Sequence, residues 1–426
     1  MTHFGIICPA AAGHLNPMTT LGYELQKRGH RVTLFGIPDA QPKTLAAGLE
    51  FKAVGEEKFP IGTTTETLAQ LGQLNGIAAF QYTVALFKQG TVMLLQDAPE
   101  AIKETGVEAL LIDQTSFGGE TVAEHLDIPF ISVCSALMLN REPGVPPFNT
   151  TWNYNQTWWA HCRNSMGYRL LDRIARPITE VVAEYRQAWN LPPFFHSNDF
   201  YSKLAQLTQQ PVEFEFPRQD LPQCFHFTGP YHNPSSREPA PFPFDKLTGQ
   251  PLIYASMGTV QNRLMWVFQA IAEACAGLDA QLIIALGSKS ELDALPELPG
   301  SPLVVGYAPQ LELLQRATLT ITHAGMNTTL ESLSNGVPMV AIPIANDQPG
   351  VAARIVWTGT GEAIPLKRLS VPKLQRAIER VLAEDLYKKN ALRLQQAIHQ
   401  VGGVTRAVEI IEQVISTGNP LSTQIT

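Results

Sequence analysis

The chain opens on an apolar run, HFGIIC (3–8), crosses a small-residue loop, PAAAGHL, and then repeats Met18, Leu21, Gly22 and Leu25 at helical spacing. The run predicts a buried strand. Asn16 followed by Pro17 predicts a helix N-cap with proline at the first helical position, and Gly29 predicts the stop. HRVTLFG (30–36) is the next strand, so the opening reads as a strand–helix–strand unit of about thirty residues with parallel strands. VEALLID (107–113) and IPFISV (128–133) continue the series. Residues 60–105 read as helical with polar interruptions. Residues 140–200 show no clear period at first and then a helix-like stretch.

The second half regains the alternation. PLIYASMG (251–258), AQLIIALG (280–287), SPLVVGYA (301–308), LTITHAG (319–325) and VPMVAIPI (337–344) predict strands, and QNRLMWVFQAIAEACAGL (261–278) a helix. Between the halves, HNPSSREPAPFPFDKLTGQP (232–251) is rich in Pro, Ser and charge, which suits a linker. The expected organisation is an N-terminal α/β domain over 1–235, a linker over 236–250 and a C-terminal α/β domain over 251–403. The amphipathic TRAVEIIEQVIS (405–416) lies in a final segment, 404–426, able to pack back across either domain. Each half reads as a doubly wound sheet. Ligands in such sheets bind beyond the carboxyl ends of the strands, here in the cleft between the halves.

Composition removes some function classes. At 426 residues the chain is too long for one ordinary core, and 45% hydrophobic content is that of a globular interior. A net charge of −7 without a basic stripe argues against a nucleic-acid partner. Five scattered cysteines without a CxxC pair favour reduced thiols and disfavour a disulfide frame or structural zinc. The opening MTHFGIICPAAAGH lacks the basic start of a secretion signal, and apolar runs such as ISVCSALML reach about half the length of a spanning helix. A soluble, cytoplasmic protein with at most peripheral membrane contact is expected.

Chemistry is sought at the strand ends. No complete GxGxxG or GxxxxGK[ST] occurs, so phosphate would have to be held by a helix N-terminus. THAGMNTTLES (322–332) offers one: Gly325 for close backbone approach, Asn327 and Thr328 at the helix start, and His323 as a donor. The same residues also read as a T-x-x-E capping box, Thr328 to Glu331, and the local pattern alone favours that. His14, in the first strand-to-helix loop, suits a general base, with Asp113 holding its second nitrogen; a loop histidine and a turn-capping aspartate fit equally. YASMG (254–258) has Tyr254 where a serine-hydrolase elbow needs glycine, which disfavours a hydrolase.

Taken together, GH-NP, RGHRVT, Asp113, the SMGT segment and above all VVGYAPQ to NDQ resemble the family-one glycosyltransferases over nearly the whole chain. Gly336, Val337, Pro338, Pro343, Asp347 and Gln348 stand at the spacing of that family's donor signature. The resemblance implies a GT-B fold, two Rossmann-like domains facing across a cleft, and transfer of a hexose, glucose by default, from a UDP-sugar. TDP-sugars are used by related bacterial enzymes. It implies that Tyr307 stacks on the base with Gln310 following, that Glu331 takes the ribose hydroxyls, and that His323, Gly325, Asn327 and Thr328 hold the diphosphate. Gly258 and Thr259 correspond to the loop closing over it, Asp347 and Gln348 to the pair that reads the sugar, His14 to the base and Asp113 to its partner. HAGMNT stands in place of HGGWNS, and Ile342-Pro343 in place of WP, which leaves the sugar open.

The implied reaction inverts the anomeric carbon, uses no cofactor beyond the UDP-sugar, and needs no metal. Phe148, Trp152 and Trp158, with Tyr154 and Trp159, suggest an aromatic wall for a hydrophobic small-molecule acceptor, a phenol, terpenoid or carotenoid-like alcohol. They read equally as the core of a helical subdomain. The region is similar to bacterial members that glycosylate carotenoids. Two other readings stand beside transfer: a UDP-GlcNAc 2-epimerase-like enzyme on the same fold, and a non-catalytic nucleotide-binding protein.

Overall fold

The computed structural model describes residues 1–72, 74, 76–232, 240–258, 264–287 and 297–422. Its strands form two sheets. The first runs β3-β2-β1-β4-β5-β6-β7, built from β1 (His3–Ile7), β2 (Arg31–Gly36), β3 (Glu50–Ala53), β4 (Ala109–Asp113), β5 (Phe130–Cys134), β6 (Gln206–Thr208) and β7 (Phe225–Phe227). The second runs β10-β9-β8-β11-β12-β13, from β8 (Leu252–Ser256), β9 (Gln281–Ala285), β10 (Leu303–Val305), β11 (Ala317–Thr322), β12 (Met339–Ala341) and β13 (Gly361–Ala363). Every pairing is parallel. The central strands are apolar on both faces because helices cover both, as parallel sheets require.

Three places depart from the sequence reading. The first helix spans Ala12–Lys27, not a segment beginning at Pro17, and Pro17 lies inside it. The Ala11 carbonyl accepts the N–H groups of both His14 and Leu15 at 2.9 Å, so the turn nucleates on the small-residue run. The three-residue strands β6, β7 and β13 and the four-residue β3 carry polar residues and lie in no longer apolar block, so they did not register, unlike the equally short β10 and β12. Helices Val371–Ala383 and Asp385–Val401 lie in a stretch for which no element was assigned. All five cysteines are free thiols.

Two features join the lobes away from His14. The helix Gly403–Thr417 buries Ala407, Val408, Ile410, Ile411 and Val414 in one cluster with Phe4, Ile6, Leu21 and Leu25. Its Glu412 binds Arg28 at 2.8 Å and His30 at 3.0 Å. The second joint is a buried seam. Arg354, on the helix Gln348–Trp357, forks onto Glu215, with Nε–Oε2 at 2.9 Å and Nη2–Oε1 at 2.5 Å. Its guanidinium lies over the Phe216 ring, which also meets Tyr154 and Trp357. Gly350 abuts the Phe148 carbonyl so closely that a Cβ there would come within 2.1 Å of it.

Candidate active site

The base side is built by strand register. Ile7 of β1 pairs with Ile112 of β4, so the residue after Ile112 stands level with the turn that leads into the first helix. That residue is Asp113, fully buried, and its Oδ2 meets His14 Nδ1 at 2.9 Å. Asp113 Oδ1 accepts the Thr115 N–H at 2.9 Å and the Thr115 hydroxyl at 2.5 Å. A carboxylate only accepts, so Nδ1 is the protonated nitrogen and a neutral imidazole keeps its lone pair on Nε2. Burial alone lowers the His14 pKa; the charge and hydrogen bond of Asp113, with Asp347 adding from the other lobe, outweigh it and raise it above 6.5. Burial alone raises Asp113, but His14 prevails and lowers it below 3.8. Thr115 was missed in the sequence, although D-x-T after a strand is a recognisable side-chain turn. Two residues on, the Phe117 ring meets Phe87 edge-on at 5.6 Å and Phe200 at 6.4 Å, an apolar cluster that the sequence did not single out.

Across the cleft, β11 ends at Thr322 and the helix Met326–Ser334 begins after the N-cap Gly325. Thr328 is therefore the third residue of the helix, and the T-x-x-E capping box is not formed. Ala324 between them has φ 65°, a left-handed turn that costs a non-glycine residue about 1–2 kcal/mol. The His323 imidazole packs between two glycines: an added Cβ would lie 2.5 Å from its Nε2 at Gly325 and 2.6 Å at Gly258. The glycines thus make room first for the imidazole, rather than directly for a ligand. Among the described residues, the buried His323 Nδ1 has no hydrogen-bond partner. Burial pushes its pKa down to about 4, opposed only in part by the Ser256 backbone, so the ring is neutral at pH 7.

The remaining donor-side residues are interlocked. Tyr254 donates to Gln310 Oε1 at 3.0 Å, and Gln310 Nε2 donates to Thr328 Oγ1 at 3.3 Å and to Glu331 Oε2 at 2.5 Å. Glu331 is buried, while Tyr307 is half-exposed and offers its ring. Asp347 accepts the Leu137 N–H from the first lobe at 3.0 Å, and burial raises its pKa above 3.8. Gln348 Oε1 accepts the N–H groups of Ile344 and Ala345 at 2.9 and 3.0 Å. Asn327 bridges the lobes: its Nδ2 donates to the Gly13 carbonyl at 2.9 Å, and its Oδ1 accepts from Gln209 at 2.8 Å. The helix start and His14 are therefore neighbours. Gly258 follows β8 at φ 75°; Thr259 lies outside the described residues.

The aromatic residues of 148–159 do not form one surface. Phe148 packs into the cluster holding Leu137, Met326 and Leu330, and Tyr154 lies in the lobe seam. The Arg163 guanidinium lies over the Trp152 and Trp159 rings, at 4.7 and 5.3 Å, and Trp158 is 79% exposed. Among the described residues, no three His, Cys, Asp or Glu side chains converge as metal ligands, and no helix is long and apolar enough to cross a membrane.

Known proteins share this arrangement from end to end. The chain is 34% identical to the zeaxanthin glucosyltransferase of Pantoea ananas, over 99% of this chain and 98% of that one. It is 30% identical to the zeaxanthin glucosyltransferase of Pseudescherichia vulneris, over 99% and 100%. The glycotransferase of kitacinnamycin superposes with a TM-score of 0.75 at 22% identity, covering 97% of this chain and 98% of that one, so the fold is GT-B. The family model for UDP-glucoronosyl and UDP-glucosyl transferases matches residues 7–417. With nearly every residue inside that match, the chain belongs to the UDP-glucoronosyl and UDP-glucosyl transferases and is a glycosyltransferase.

Proposed function

We propose that the chain transfers a hexose, with glucose the first choice, from a UDP-sugar to a hydroxyl of a hydrophobic small molecule, with inversion and without a metal. One observation carries this reading: the His14–Asp113 pair stands beside the start of the helix Met326–Ser334, tied to it by Asn327 and the Gly13 carbonyl. His14 Nε2 takes the acceptor's proton as its oxygen attacks the anomeric carbon opposite the departing UDP. Asp113 fixes Nδ1–H and offsets the imidazolium charge that forms. Charge developing on the diphosphate meets the first N–H groups of the helix and the neutral His323, donors already in place. These donors perform the charge neutralisation that other transferases assign to a cation.

Further roles follow the same placement. The Tyr307 ring stacks on the uracil, Gln310 orders Glu331 for the ribose hydroxyls, and Asp347 with Gln348 reads the sugar. The Phe87–Phe117–Phe200 rings beyond Thr115 supply an apolar approach for the acceptor. Two relatives named for zeaxanthin, a carotenoid alcohol, support a lipophilic acceptor. The test is mass spectrometry of products from lipophilic alcohols and phenols offered with UDP-glucose, TDP-glucose or UDP-GlcNAc. A glycoside of inverted anomeric configuration, formed with chelator present, is expected. Epimerisation of UDP-GlcNAc without any glycoside would replace this reading with the epimerase one.

A further inference from the structure

The helix Trp158–Ala188 buries Leu171, Ile178, Val181 and Val182 and packs along the helix Gly76–Thr105. Its other side is unusually apolar for a face in water. Trp159, Met166 and Leu170, spaced by seven and four residues, line one stripe and are 47%, 69% and 59% exposed, with Trp158 at its head. Arginines border the stripe. Arg163 makes hydrogen bonds only to Asn164 and the Asn153 carbonyl, and Arg169 and Arg173 have no carboxylate partner among the described residues. Residues 158–177 carry four Arg against one Asp, in a chain of net charge −7, and Arg176 pairs with Glu180 one turn on, which leaves Arg169 and Arg173 as the free charges among the described residues. The one acidic side chain, Asp172, is taken by Arg141. Beside the stripe opens a recess of about 310 Å³ bordered by Arg141, Tyr168, Arg169 and His196 and also by the carboxylates of Glu142 and Asp172, the latter paired with Arg141.

We infer that this face docks on an anionic phospholipid surface. Tryptophan, methionine and leucine along a basic helix are the composition of an element lying in the plane of a bilayer interface. The apolar stripe enters the headgroup–acyl boundary, the unpaired arginines reach lipid phosphates, and the recess gives one headgroup room beside Arg169. A second copy of the chain fits less well, because a two-fold contact sets this patch against itself and opposes arginine to arginine. The helix packed beneath carries Phe87, whose ring meets Phe117 near the His14–Asp113 pair, so the docked face and the apolar approach to the base share one lobe. The inference stands on the stripe and its charges and does not depend on the acceptor.

The experiment is flotation of the full chain with phosphatidylcholine vesicles, with and without phosphatidylglycerol, at low and high salt. The wild type binds the phosphatidylglycerol vesicles, weakens in salt, and shows a blue-shifted tryptophan emission. The double variant Arg169→Gln/Arg173→Gln loses about 25-fold in vesicle affinity, about fivefold for each arginine near an anionic surface. Met166→Ser/Leu170→Ser loses about tenfold or more. Both variants retain wild-type UDP affinity by calorimetry, which separates loss of docking from loss of fold or of the donor site. No binding to anionic vesicles at low salt, wild-type binding by both variants, or a light-scattering dimer that Met166→Ser/Leu170→Ser dissolves, each overturns the inference.

Discussion

Gly325→Ala tests the placement of His323 with little interference from the backbone. Gly325 has φ −67° and ψ 138°, values that alanine adopts freely, so the substitution acts by contact alone. Its Cβ would lie 2.5 Å from His323 Nε2 and 2.7 Å from Cε1. Ordinary contact between such atoms needs about 3.5 Å or more, so the ring must retreat by about 1 Å. Gly258 closes the other side, and the imidazole leaves the helix start. Overpacking of this kind costs about 1–3 kcal/mol, or about 5- to 150-fold in affinity where it falls on the donor-bound state. Titration calorimetry with UDP should show that loss, while uridine, which lacks the diphosphate, should bind as to wild type. Gly258→Ala meets the same ring and adds a left-handed φ of 75°, worth a further ~1–2 kcal/mol against the folded state, so its Tm falls as well. Adding His323→Ala to Gly325→Ala should cost no more than His323→Ala alone. Unchanged UDP affinity in Gly325→Ala, or an equal loss for uridine, would refute the assignment of His323 to the diphosphate.

Four other substitutions probe the remaining parts. His14→Ala should lower kcat by about 10²–10⁴-fold and leave UDP affinity intact; near-normal turnover would remove His14 as the base. Because His14 is held above 6.5 and must be neutral to act, kcat/KM should fall as pH drops through that raised value. Asp113→Asn, which leaves Asp347 as the carboxylate still opposing burial, should move the acid limb down, and a stationary limb would assign it to another group. Glu331→Ala should weaken UDP binding by about tenfold or more, as expected for hydrogen bonds to a charged group, with uridine affected equally. Glu215→Gln leaves Arg354 unpaired in the lobe seam and should cost about 3–5 kcal/mol of stability, read as a fall in Tm. The wild type carries the matching pH signature. Burial alone raises the Glu215 pKa, but Arg354 and Arg218 bring it down to about 2, so its stabilisation is complete above the unfolded value near 4.5 and is lost as pH falls toward 2. An acid transition identical in Glu215→Gln and wild type would contradict this.

The alternation of apolar runs and helical faces was enough to place β1, β2, β4, β5 and, in the second sheet, β8 to β12, because each of these strands lies in a short hydrophobic block. The edge strands β3 and β13 and the three-residue β6 and β7 escaped, since each is broken by polar residues (Glu50 and Lys52, Glu362, Gln206, His226), whereas the equally short β10 and β12 sit in longer apolar blocks. His14 and Asp113 were legible as candidates from position alone, but their 2.9 Å contact depends on the β1–β4 register, which no local pattern encodes. The capping-box reading of Thr328 failed for a similar reason. The left-handed Ala324 ends the turn early and hands the N-cap to Gly325, three residues before the threonine. The aromatic cluster of 148–159 misled because sequence proximity hides direction: the same short segment faces the lobe seam at Phe148 and Tyr154 and water at Trp158.

Pro17 shows how a misread signal becomes informative once the helix is in place. Inside Ala12–Lys27 it has no N–H to give to the carbonyl four residues earlier, which is that of Gly13. A carbonyl stripped of its helical partner needs another donor, and Asn327 Nδ2 provides it from the opposite lobe at 2.9 Å. Asn327 therefore has two separable functions. Its side chain joins the lobes through Gly13 and Gln209, and its backbone N–H, second in the helix, stays among the groups that no intrahelical carbonyl satisfies. The helix start that the proposed mechanism gives to the diphosphate is thus aligned to the proposed base through the main chain of the residue preceding His14. The imidazole, which in that mechanism exchanges protons and admits an acceptor hydroxyl, makes neither of these inter-lobe hydrogen bonds, so they do not depend on a bond to His14.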